Sequence, residues 1–205
     1  MKTLVLASHN QKKRDELAAA LIGHVTNVTV LTLSDVGLDA PEENGATFVD
    51  NALIKVRHCV AHTGFAAIAD DSGLCVQLLN GAPGVISARY AGVDATDQTN
   101  NSKLLAELAA TGVEGPYRAK FHATVVFATE EGTEHVVEAH MPGVIKTVAK
   151  GVNGFGYDPL FYADAYQHTR SNAELSLDEK QAISHRGQAL RRLLPAIISW
   201  AEPPG

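Results

Sequence analysis

Short apolar runs alternate with amphipathic stretches along the first half of the chain. Three of these runs have the length of buried β-strands, at residues 3–7, 27–33 and 65–69. A helix is predicted over residues 11–22, because Leu17, Leu21 and Ile22 recur at helical spacing. An alternation of strands and helices in this order is typical of an α/β fold.

A second helix is predicted over residues 47–62, directly before the third apolar run. Thr47 and Asp50 have the spacing of a capping box, in which each side chain accepts a hydrogen bond from the backbone of the other. We expect the strand at 65–69 to end at the polar sequence DDSG that follows it, and residues 74–79 to continue as an extended segment.

The second half of the chain predicts a β-meander and ends in a helix. Its expected elements are a helix over residues 99–110, neighbouring strands over 118–128 and 135–141, a glycine-rich loop over 151–158 and a final helix over 187–200. Strands joined by a short turn pair antiparallel, so the sheet should be mixed rather than purely parallel. No linker or repeat interrupts the chain, so we expect one domain over residues 1–200 and a flexible tail at 201–205.

Composition and charge narrow the class of protein. The chain has 205 residues, 45% of them hydrophobic, and a formal net charge of -6, which argues against a nucleic-acid polymer or an anionic membrane as partner. Its two cysteines do not form a disulfide framework, and we expect both to be buried, reduced thiols. The apolar start is too short for a signal peptide, and no run approaches the length of a membrane span, so we expect a soluble cytoplasmic protein.

Three cations stand at the start of the first predicted helix. They are Lys12, Lys13 and Arg14. Positive charge at this end of a helix opposes the helix dipole, but the same turn also exposes backbone N–H groups that bind phosphate. A bound polyphosphate would therefore explain the cluster, and a solvated helix face is the alternative. The sequence lacks the P-loop pattern G-x-x-x-x-G-K-[ST].

Two adjacent carboxylates, Asp70 and Asp71, follow the third apolar run. Neighbours on a strand point to opposite faces, so only one of the two needs to face a given cleft. A buried carboxylate needs a metal or hydrogen-bond donors, and Mg²⁺ prefers a few carboxylates together with phosphates. The alternative is an ordinary turn. The acidic pair at 42–43 could add a ligand, although alone it is better explained as a solvated loop, and Lys55 alone as a surface residue.

Two later stretches carry groups suited to a nucleotide base. In GVNGFGYDPLF, Phe155 or Tyr157 could stack on a base and Asp158 could accept from ring N–H groups, while glycines allow close approach. In EKQAISHRG, three donors precede the final helix: Lys180, His185 and Arg186. Donors favour a 6-keto purine over the 6-amino group of adenine. The alternatives are a tight turn with aromatics in the core and a solvated helix start.

Motifs of several other hydrolases are missing. None of the nine histidines stands in H-E-x-x-H or another zinc spacing. The absence of G-x-S-x-G argues against a serine hydrolase that uses Ser72. The absence of a D-x-D spacing argues against an aspartyl-phosphate phosphatase built on Asp70.

Taken together and in order, these stretches resemble the inosine triphosphate pyrophosphatase family, also called dITP/XTP pyrophosphatases. The stretches are SHNQKKRDE, EENGATFVDNALIK, IADDSGLCV, SARYAG, FGYDP and AISHRG. The most specific patterns are [ST]-x-N-x-x-K-x-x-E near the start and F-G-Y-D at 155–158. The resemblance extends from Thr3 to the final helix, which is nearly the whole chain.

The resemblance implies a function and an architecture. Members hydrolyse non-standard purine nucleoside triphosphates (ITP, dITP and XTP) to the monophosphate and pyrophosphate, with Mg²⁺ as cofactor. Their fold is α/β, a long bent mixed β-sheet flanked by helices, with two lobes and a central substrate cleft. Members are usually homodimers, so we expect a homodimer here.

The resemblance also assigns roles to single residues. Asp71 matches the general base and a metal ligand, and Glu42 matches the other metal carboxylate. Ser8, Asn10 and Lys13 match the triphosphate-binding turn, to which we also assign the intervening His9, Gln11 and Lys12. Further substrate contacts are expected at Lys55, Ser72 and Arg89. The base pocket corresponds to Phe155, Gly156, Tyr157 and Asp158, joined by Lys180, His185 and Arg186. Ser8-His9 departs from the family, where many members have Thr-Gly.

Two other functions stay open at this point. One is a related pyrophosphatase that prefers other modified nucleotides, such as pyrimidines, which a panel of substrates distinguishes. The other is a non-catalytic nucleotide-binding protein with the same fold, which would bind nucleotide without turnover. The presence of both Asp71 and Glu42 argues against the second.

Overall fold

A computed structural model describes most of the chain. The described residues are 1–9, 13, 15, 18–19, 21, 24–25 and 27–202. The strands are β1 (Lys2–Leu6), β2 (Val28–Thr32), β3 (Ala66–Val76), β4 (Tyr117–Ala128), β5 (Glu134–Ile145) and β6 (Phe161–Ala163). The helices with fully described bounds are α1 (Phe48–Thr63), α2 (Asp97–Ala110), α3 (Leu177–Ile183) and α4 (His185–Ala201). The predicted α/β class is confirmed.

The helix predicted over residues 11–22 is only partly described. Its described members are all helical: Lys13, Asp15, Ala18, Ala19 and Leu21. Three residues assigned above to the phosphate-binding turn lie outside the described residues: Asn10, which the resemblance matches, and the intervening Gln11 and Lys12.

The strands form one mixed sheet in the order β2-β1-β3-β4-β5-β6. β1 pairs in parallel with β2, where Lys2 lies opposite Val28, and with β3, where Leu4 lies opposite Ala66. β5 and β6 pair antiparallel, with Gly143 opposite Ala163. The mixed sheet predicted from the sequence is therefore confirmed.

The chain divides into two compact units. The first unit contains Met1–Asp71, Ala123–Ala139 and the residues from Arg186 onward, and the second contains Ser72–His122 and His140–His185. Three strands, β3, β4 and β5, therefore pass from one unit to the other along their length.

The first unit covers both faces of β1 with apolar side chains. Leu4 and Leu6 pack in a cluster with Leu193 of α4, while Val5, on the opposite face, packs with Val56 of α1. Alternate residues of a strand point to opposite faces, so a continuous apolar run is what a strand buried on both faces requires. α1 and α4 thus pack on opposite faces of β1.

The second unit is built around α2. Leu104 and Leu108 of this helix are fully buried and pack against Leu74 of β3 and against Met141 and Ile145 of β5. The opposite face of α2 remains polar, which leaves its side chains available for contacts with nearby loops.

The start of α1 is fixed by the predicted capping box. The Thr47 Oγ1 accepts from the Asp50 backbone N–H at 3.1 Å, and the Asp50 carboxylate accepts from the Thr47 backbone N–H at 3.0 Å. These bonds satisfy helix donors that have no partner within the helix. Gly64 ends the helix in the left-handed conformation, with φ 68°.

Several predicted boundaries are wrong. β3 does not end at the DDSG sequence but continues to Val76, because ion pairs described below satisfy its two carboxylates within the strand. Residues 77–79 form a 3-10 helix rather than an extended segment. The final helix begins at His185 rather than at Gly187, and the sequence did not predict α3 or β6.

Two expectations from composition can be compared with the described residues. No helix among them combines the length and the apolar character needed to cross a bilayer. Both cysteines are free thiols, but only Cys59 is buried, whereas Cys75 is half-buried. Burial raises the pKa of the Cys59 thiol to about 11, which keeps it protonated at neutral pH.

Replacing Thr47 with alanine should lower the free energy of unfolding by about 1 kcal/mol, because the first turn of α1 loses its side-chain cap. Urea denaturation measures the change, and Thr47→Ser, which keeps the hydroxyl, serves as the control. Equal unfolding midpoints for the alanine variant and the original protein would show that the cap does not support this helix.

Candidate active site

Asp70 and Asp71 lie in the middle of β3, and both are only 6% exposed. As neighbours on a strand they point to opposite faces of the sheet. Each carboxylate meets a different set of cations in the first unit. The site therefore has two sides, which differ in their electrostatics.

Asp70 is held by two cations. The Lys13 ammonium lies 2.9 Å from its Oδ1, and the Arg186 guanidinium donates to its Oδ2 from Nε and Nη2, each at 3.0 Å. Burial opposes the charge of Asp70, but Arg186, Lys13 and Lys55 outweigh it and hold the pKa of this carboxyl far below its usual range. Asp70 is therefore ionised and serves as the anchor of two cations. Burial also lowers the pKa of Lys13.

Asp71 is in a different environment. The Lys55 ammonium lies 3.0 Å from its Oδ1, and the Asn51 amide donates to its Oδ2 at 3.3 Å. Burial raises the pKa of Asp71, and the nearby Glu43 adds to this, so that the opposing effect of Lys55 is overcome. Two neighbouring carboxyls whose pKa values are pushed in opposite directions are a pattern typical of acid–base chemistry.

Lys55 connects the Asp71 carboxylate with the backbone of Asp70 and with Glu43. Besides Asp71, it donates to the backbone carbonyl of Asp70 at 2.7 Å and lies 3.3 Å from the Glu43 carboxylate. Burial disfavours its charge, but Asp71, Asp70 and Glu43 together raise the pKa of Lys55 above its usual value. The interpretation of Lys55 as a surface residue is wrong, because it is only 5% exposed.

α1 supplies the groups that meet Asp71. Asn51 and Lys55 are four residues apart and so lie on one face of the helix. The Asn51 side chain also accepts from the Gly45 backbone N–H at 2.8 Å, and a Cβ at Gly45 would lie 2.6 Å from that same oxygen. The loop that carries Glu42 and Glu43 before α1, here called the acidic loop, must therefore have a glycine where it packs against the helix.

The acidic loop places Glu43, rather than Glu42, next to Lys55. Glu43 is half-buried, whereas Glu42 is exposed. Among the described residues, no three His, Cys, Asp or Glu side chains are grouped as a metal site. The oxygen donors of Asp71 and the acidic loop nevertheless fit Mg²⁺, which commonly binds one or two carboxylates and completes its shell with water and phosphate.

Three other assigned residues belong to the first unit: Ser8 and His9, which follow β1, and Arg186, at the start of α4. Ser8 is half-buried and His9 is exposed, with its Nδ1 3.1 Å from the Ser34 hydroxyl. Arg186, which the resemblance assigns to the base pocket, contacts Asp70 through its guanidinium. The structure thus brings Lys13, Lys55 and Arg186 to the two aspartates.

In the second unit, the predicted base-pocket loop is organised around Asp158. This carboxylate is 2% exposed, and its Oδ2 accepts from the Lys180 ammonium at 2.7 Å and from the Phe155 backbone N–H at 2.9 Å. The Asn172 amide donates to the other oxygen at 3.3 Å. The Lys180 ammonium also lies 4.9 Å from the centre of the Phe155 ring, within cation–π distance.

A hydrogen bond and a ring stack hold two further assigned residues of the second unit, Tyr157 and His185. The Tyr157 hydroxyl donates to the Ser87 carbonyl oxygen at 2.9 Å, and the His185 ring stacks on Phe121 with centroids 5.0 Å apart. Lys180, His185 and Arg186 are all buried, so a solvated helix start is excluded for this stretch. Two further assigned residues are more accessible: Ser72, half-buried in β3, and Arg89, exposed at the end of the 3-10 helix at Gly84–Arg89.

Sequence reasoning missed several residues that the structure brings to the site. Asn51 donates to Asp71, and Asn172 donates to Asp158. The acidic pair at 42–43 was singled out, but the contact of Glu43 with Lys55 was not predicted. The i,i+4 spacing between Asn51 and Lys55 was the one available signal, because it places both on one helix face.

The fold and site define a mixed α/β protein with buried, cation-paired carboxylates. The model of the Ham1 family matches residues 4–196, and the chain belongs to this family. A dITP/XTP pyrophosphatase from Yersinia pseudotuberculosis is 47% identical over 199 residues, covering 96% of this chain and 98% of the relative.

Two solved structures show the same fold. The structure of a HAM1 protein from Coxiella burnetii has a TM-score of 0.86 and 41% identity, covering 96% of this chain and 98% of that one. The crystal structure of a nucleoside-triphosphatase / dITP/XTP pyrophosphatase from Mycobacterium abscessus has a TM-score of 0.74 and 45% identity, covering 94% and 99%.

Replacing Asp70 with asparagine should destabilise the protein at neutral pH by about 3 kcal/mol, because Lys13 and Arg186 lose a buried counter-charge. The folded-state pKa of Asp70 is lowered, so its stabilisation is complete above the unfolded pKa of about 4 and is lost as the pH falls below it. The difference between the variant and the original protein should therefore shrink in acid. Urea denaturation at pH 7 and below pH 4 measures it.

Asp164→Asn is the matched control, since Asp164 forms ion pairs with Arg118 and His168 at the surface. An exposed pair contributes about 0–1 kcal/mol, so this change should have little effect. Equal losses for the two variants at pH 7 would contradict the anchoring role of Asp70.

Proposed function

We propose that this protein is a nucleoside triphosphate pyrophosphatase. It hydrolyses the non-standard purine nucleotides ITP, dITP and XTP to the monophosphate and pyrophosphate and so removes damaged nucleotides from the precursor pool. Membership of the Ham1 family and the names of its full-length relatives support this proposal. The observation that carries it is the pair Asp70 and Asp71, buried next to each other with opposite pKa shifts.

Asp71 is the general base of the proposed reaction. A water molecule attacks phosphorus at the α–β phosphoanhydride, its proton passes to the Asp71 carboxylate, and the bond to pyrophosphate breaks. A raised pKa makes this carboxylate a better proton acceptor than an ordinary aspartate. Asp70 is unsuited to the task, because two cations hold it in its ionised form.

Lys13 and Lys55 stabilise negative charge on the triphosphate and on the departing pyrophosphate. Each ammonium is already held by a carboxylate, at 2.9 Å and 3.0 Å, so neither needs to reorganise when charge develops. Ser8, Asn10 and the neighbouring residues of the first turn complete the phosphate site, as the resemblance implies.

We further propose Mg²⁺ as the cofactor, with Asp71 and Glu42 as its protein ligands. When bound, it would offset the charge of the phosphates and of the leaving group. The half-buried Glu43 orients Lys55 beside these ligands.

The residues that the resemblance assigns to the base pocket select the base. Phe155 stacks on the purine, and Lys180 and His185 offer donors to a 6-keto oxygen, which adenine lacks. Asp158 orients Lys180 and the Phe155 backbone, since both donate to its buried Oδ2. A cytoplasmic homodimer completes the proposal. The homodimer rests on the resemblance, and the cytoplasmic location rests on the sequence expectation given above.

A substrate panel tests the reaction. Purified protein with Mg²⁺ should release pyrophosphate from ITP, dITP and XTP and little from ATP or CTP, because the donors of the base pocket favour a 6-keto purine. Pyrophosphate and orthophosphate are assayed separately. Release of orthophosphate, a preference for CTP, or binding of nucleotide without turnover would each contradict the proposal.

The variant Asp71→Asn should lose about 10²–10⁴-fold in kcat, the usual contribution of a general base. Its melting temperature should stay near the original, because asparagine keeps the shape of the side chain and burial already opposes the stabilisation that the Asp71 charge gains from Lys55. Steady-state kinetics and thermal melts measure both quantities, with Asp164→Asn as a surface control. Near-normal turnover would remove Asp71 from this role.

A further inference from the structure

The first turns of α2 hold the predicted base-pocket loop at one residue. The Gly156 backbone N–H donates to the Asp97 carboxylate at 2.7 Å, and the Asn101 side-chain amide donates to the Gly156 carbonyl oxygen at 2.9 Å. Asp97 and Asn101 are four residues apart and lie on one face of the helix. We call these two residues the Gly156 clamp.

The loop needs such a clamp because its backbone is intrinsically permissive. Gly154 and Gly156 both adopt left-handed conformations, with φ 75° and φ 62°. Glycine visits many backbone conformations at similar energy, so the loop sequence alone does not select this one. Gly156 has no side chain, and contacts to its peptide groups are the means by which the rest of the protein fixes its conformation.

The residues on either side of Gly156 are anchored by other contacts. The Tyr157 hydroxyl donates to Ser87, and Asp158 accepts from Lys180 and from the Phe155 backbone N–H. The half-buried Phe155 ring stands immediately before the clamped residue. The direction of this ring therefore depends on the peptide that the clamp holds.

The same helix also supports the segment that carries Arg89. The Asn100 amide donates to the Ala88 carbonyl oxygen at 3.0 Å and accepts from the Ala91 backbone N–H at 2.8 Å. The Lys103 ammonium donates to the Tyr90 carbonyl oxygen at 2.8 Å. α2 thus holds two segments to which the resemblance assigns substrate contacts.

The need to cap the start of α2 does not explain the role of the Asp97 carboxylate. A carboxylate in the first turn is favoured by the helix dipole, but the capping box of Thr96 and Thr99 already satisfies the helix start. Asp97 instead accepts from a backbone group 59 residues further along the chain. This long-range contact therefore fixes the backbone of the loop that contains Gly156.

We propose that Asp97 and Asn101 are positioning residues for base selectivity. By holding both peptide groups of Gly156 they orient the Phe155 ring against which the purine stacks. The inference rests on the proposed function and deepens it. Loosening the clamp should raise KM for ITP and leave kcat nearly unchanged, because the proposed proton acceptor Asp71 belongs to the first unit.

Four variants test the clamp. Asn101→Asp is isosteric but places an acceptor opposite the Gly156 carbonyl oxygen, and Asp97→Ala removes the acceptor for the Gly156 N–H. Asp97→Asn keeps an acceptor oxygen for the Gly156 N–H and should therefore retain the selectivity for ITP that Asp97→Ala loses. Gln98→Ala changes an exposed residue of the same turn and is the matched control.

Steady-state kinetics with ITP and ATP give the result. In Asn101→Asp and Asp97→Ala, the ratio of kcat/KM for ITP over ATP should fall about tenfold through KM, the factor expected for the loss of one hydrogen bond. Asp97→Asn and Gln98→Ala should stay within about twofold of the original ratio. Thermal melts establish that each variant is folded, and Asp97→Ala tests the clamp if Asn101→Asp does not fold.

A merely structural role predicts a different pattern. It would lower kcat equally for ITP and ATP, through loss of folded protein, and leave KM and the ratio unchanged, which would overturn the inference. An unmodified protein that releases no pyrophosphate from ITP would instead overturn the proposed function, and this inference with it. The two failures are thus distinguished by the behaviour of the unmodified protein.

Discussion

Two neighbouring carboxylates in the middle of a buried strand are stable only because each is matched with cations from distant parts of the chain. Lys13 and Arg186 meet Asp70, and Lys55 meets Asp71. These contacts tie the N-terminal helical segment, α1 and the start of α4 to β3. The packing of the first unit and the chemistry of its candidate site therefore have the same electrostatic origin.

The elements that sequence predicts well are those whose determinants are local. The capping box of Thr47 and Asp50 spans four residues, and β1 is indicated by its own apolar run of five residues. The continuation of β3 was not predictable in this way, because its DDSG sequence has the propensity of a turn. What overrides that propensity is an ion pair between Asp70 and Arg186, which are 116 residues apart.

The candidate site shows the same division. Its titratable residues could be named from motifs. The alternative of a solvated helix start for Lys180 and His185 is wrong, since both are buried, and this burial could not be predicted because it depends on long-range packing. The resemblance assigns Arg186 to the base pocket, and the structure adds an ion pair with Asp70, a contact that no local pattern encodes. Asp97 and Asn101 were not singled out, because in sequence they are ordinary residues of a helix start.

The division of the chain has a consequence for how this architecture can change. The chain passes between the units at four points, after Asp71, His122, Ala139 and His185, so neither unit is one contiguous stretch. No single cut releases either unit intact, and recombination cannot exchange one as a cassette between genes. New specificities in such a protein therefore arise through substitution within the whole chain rather than through domain shuffling.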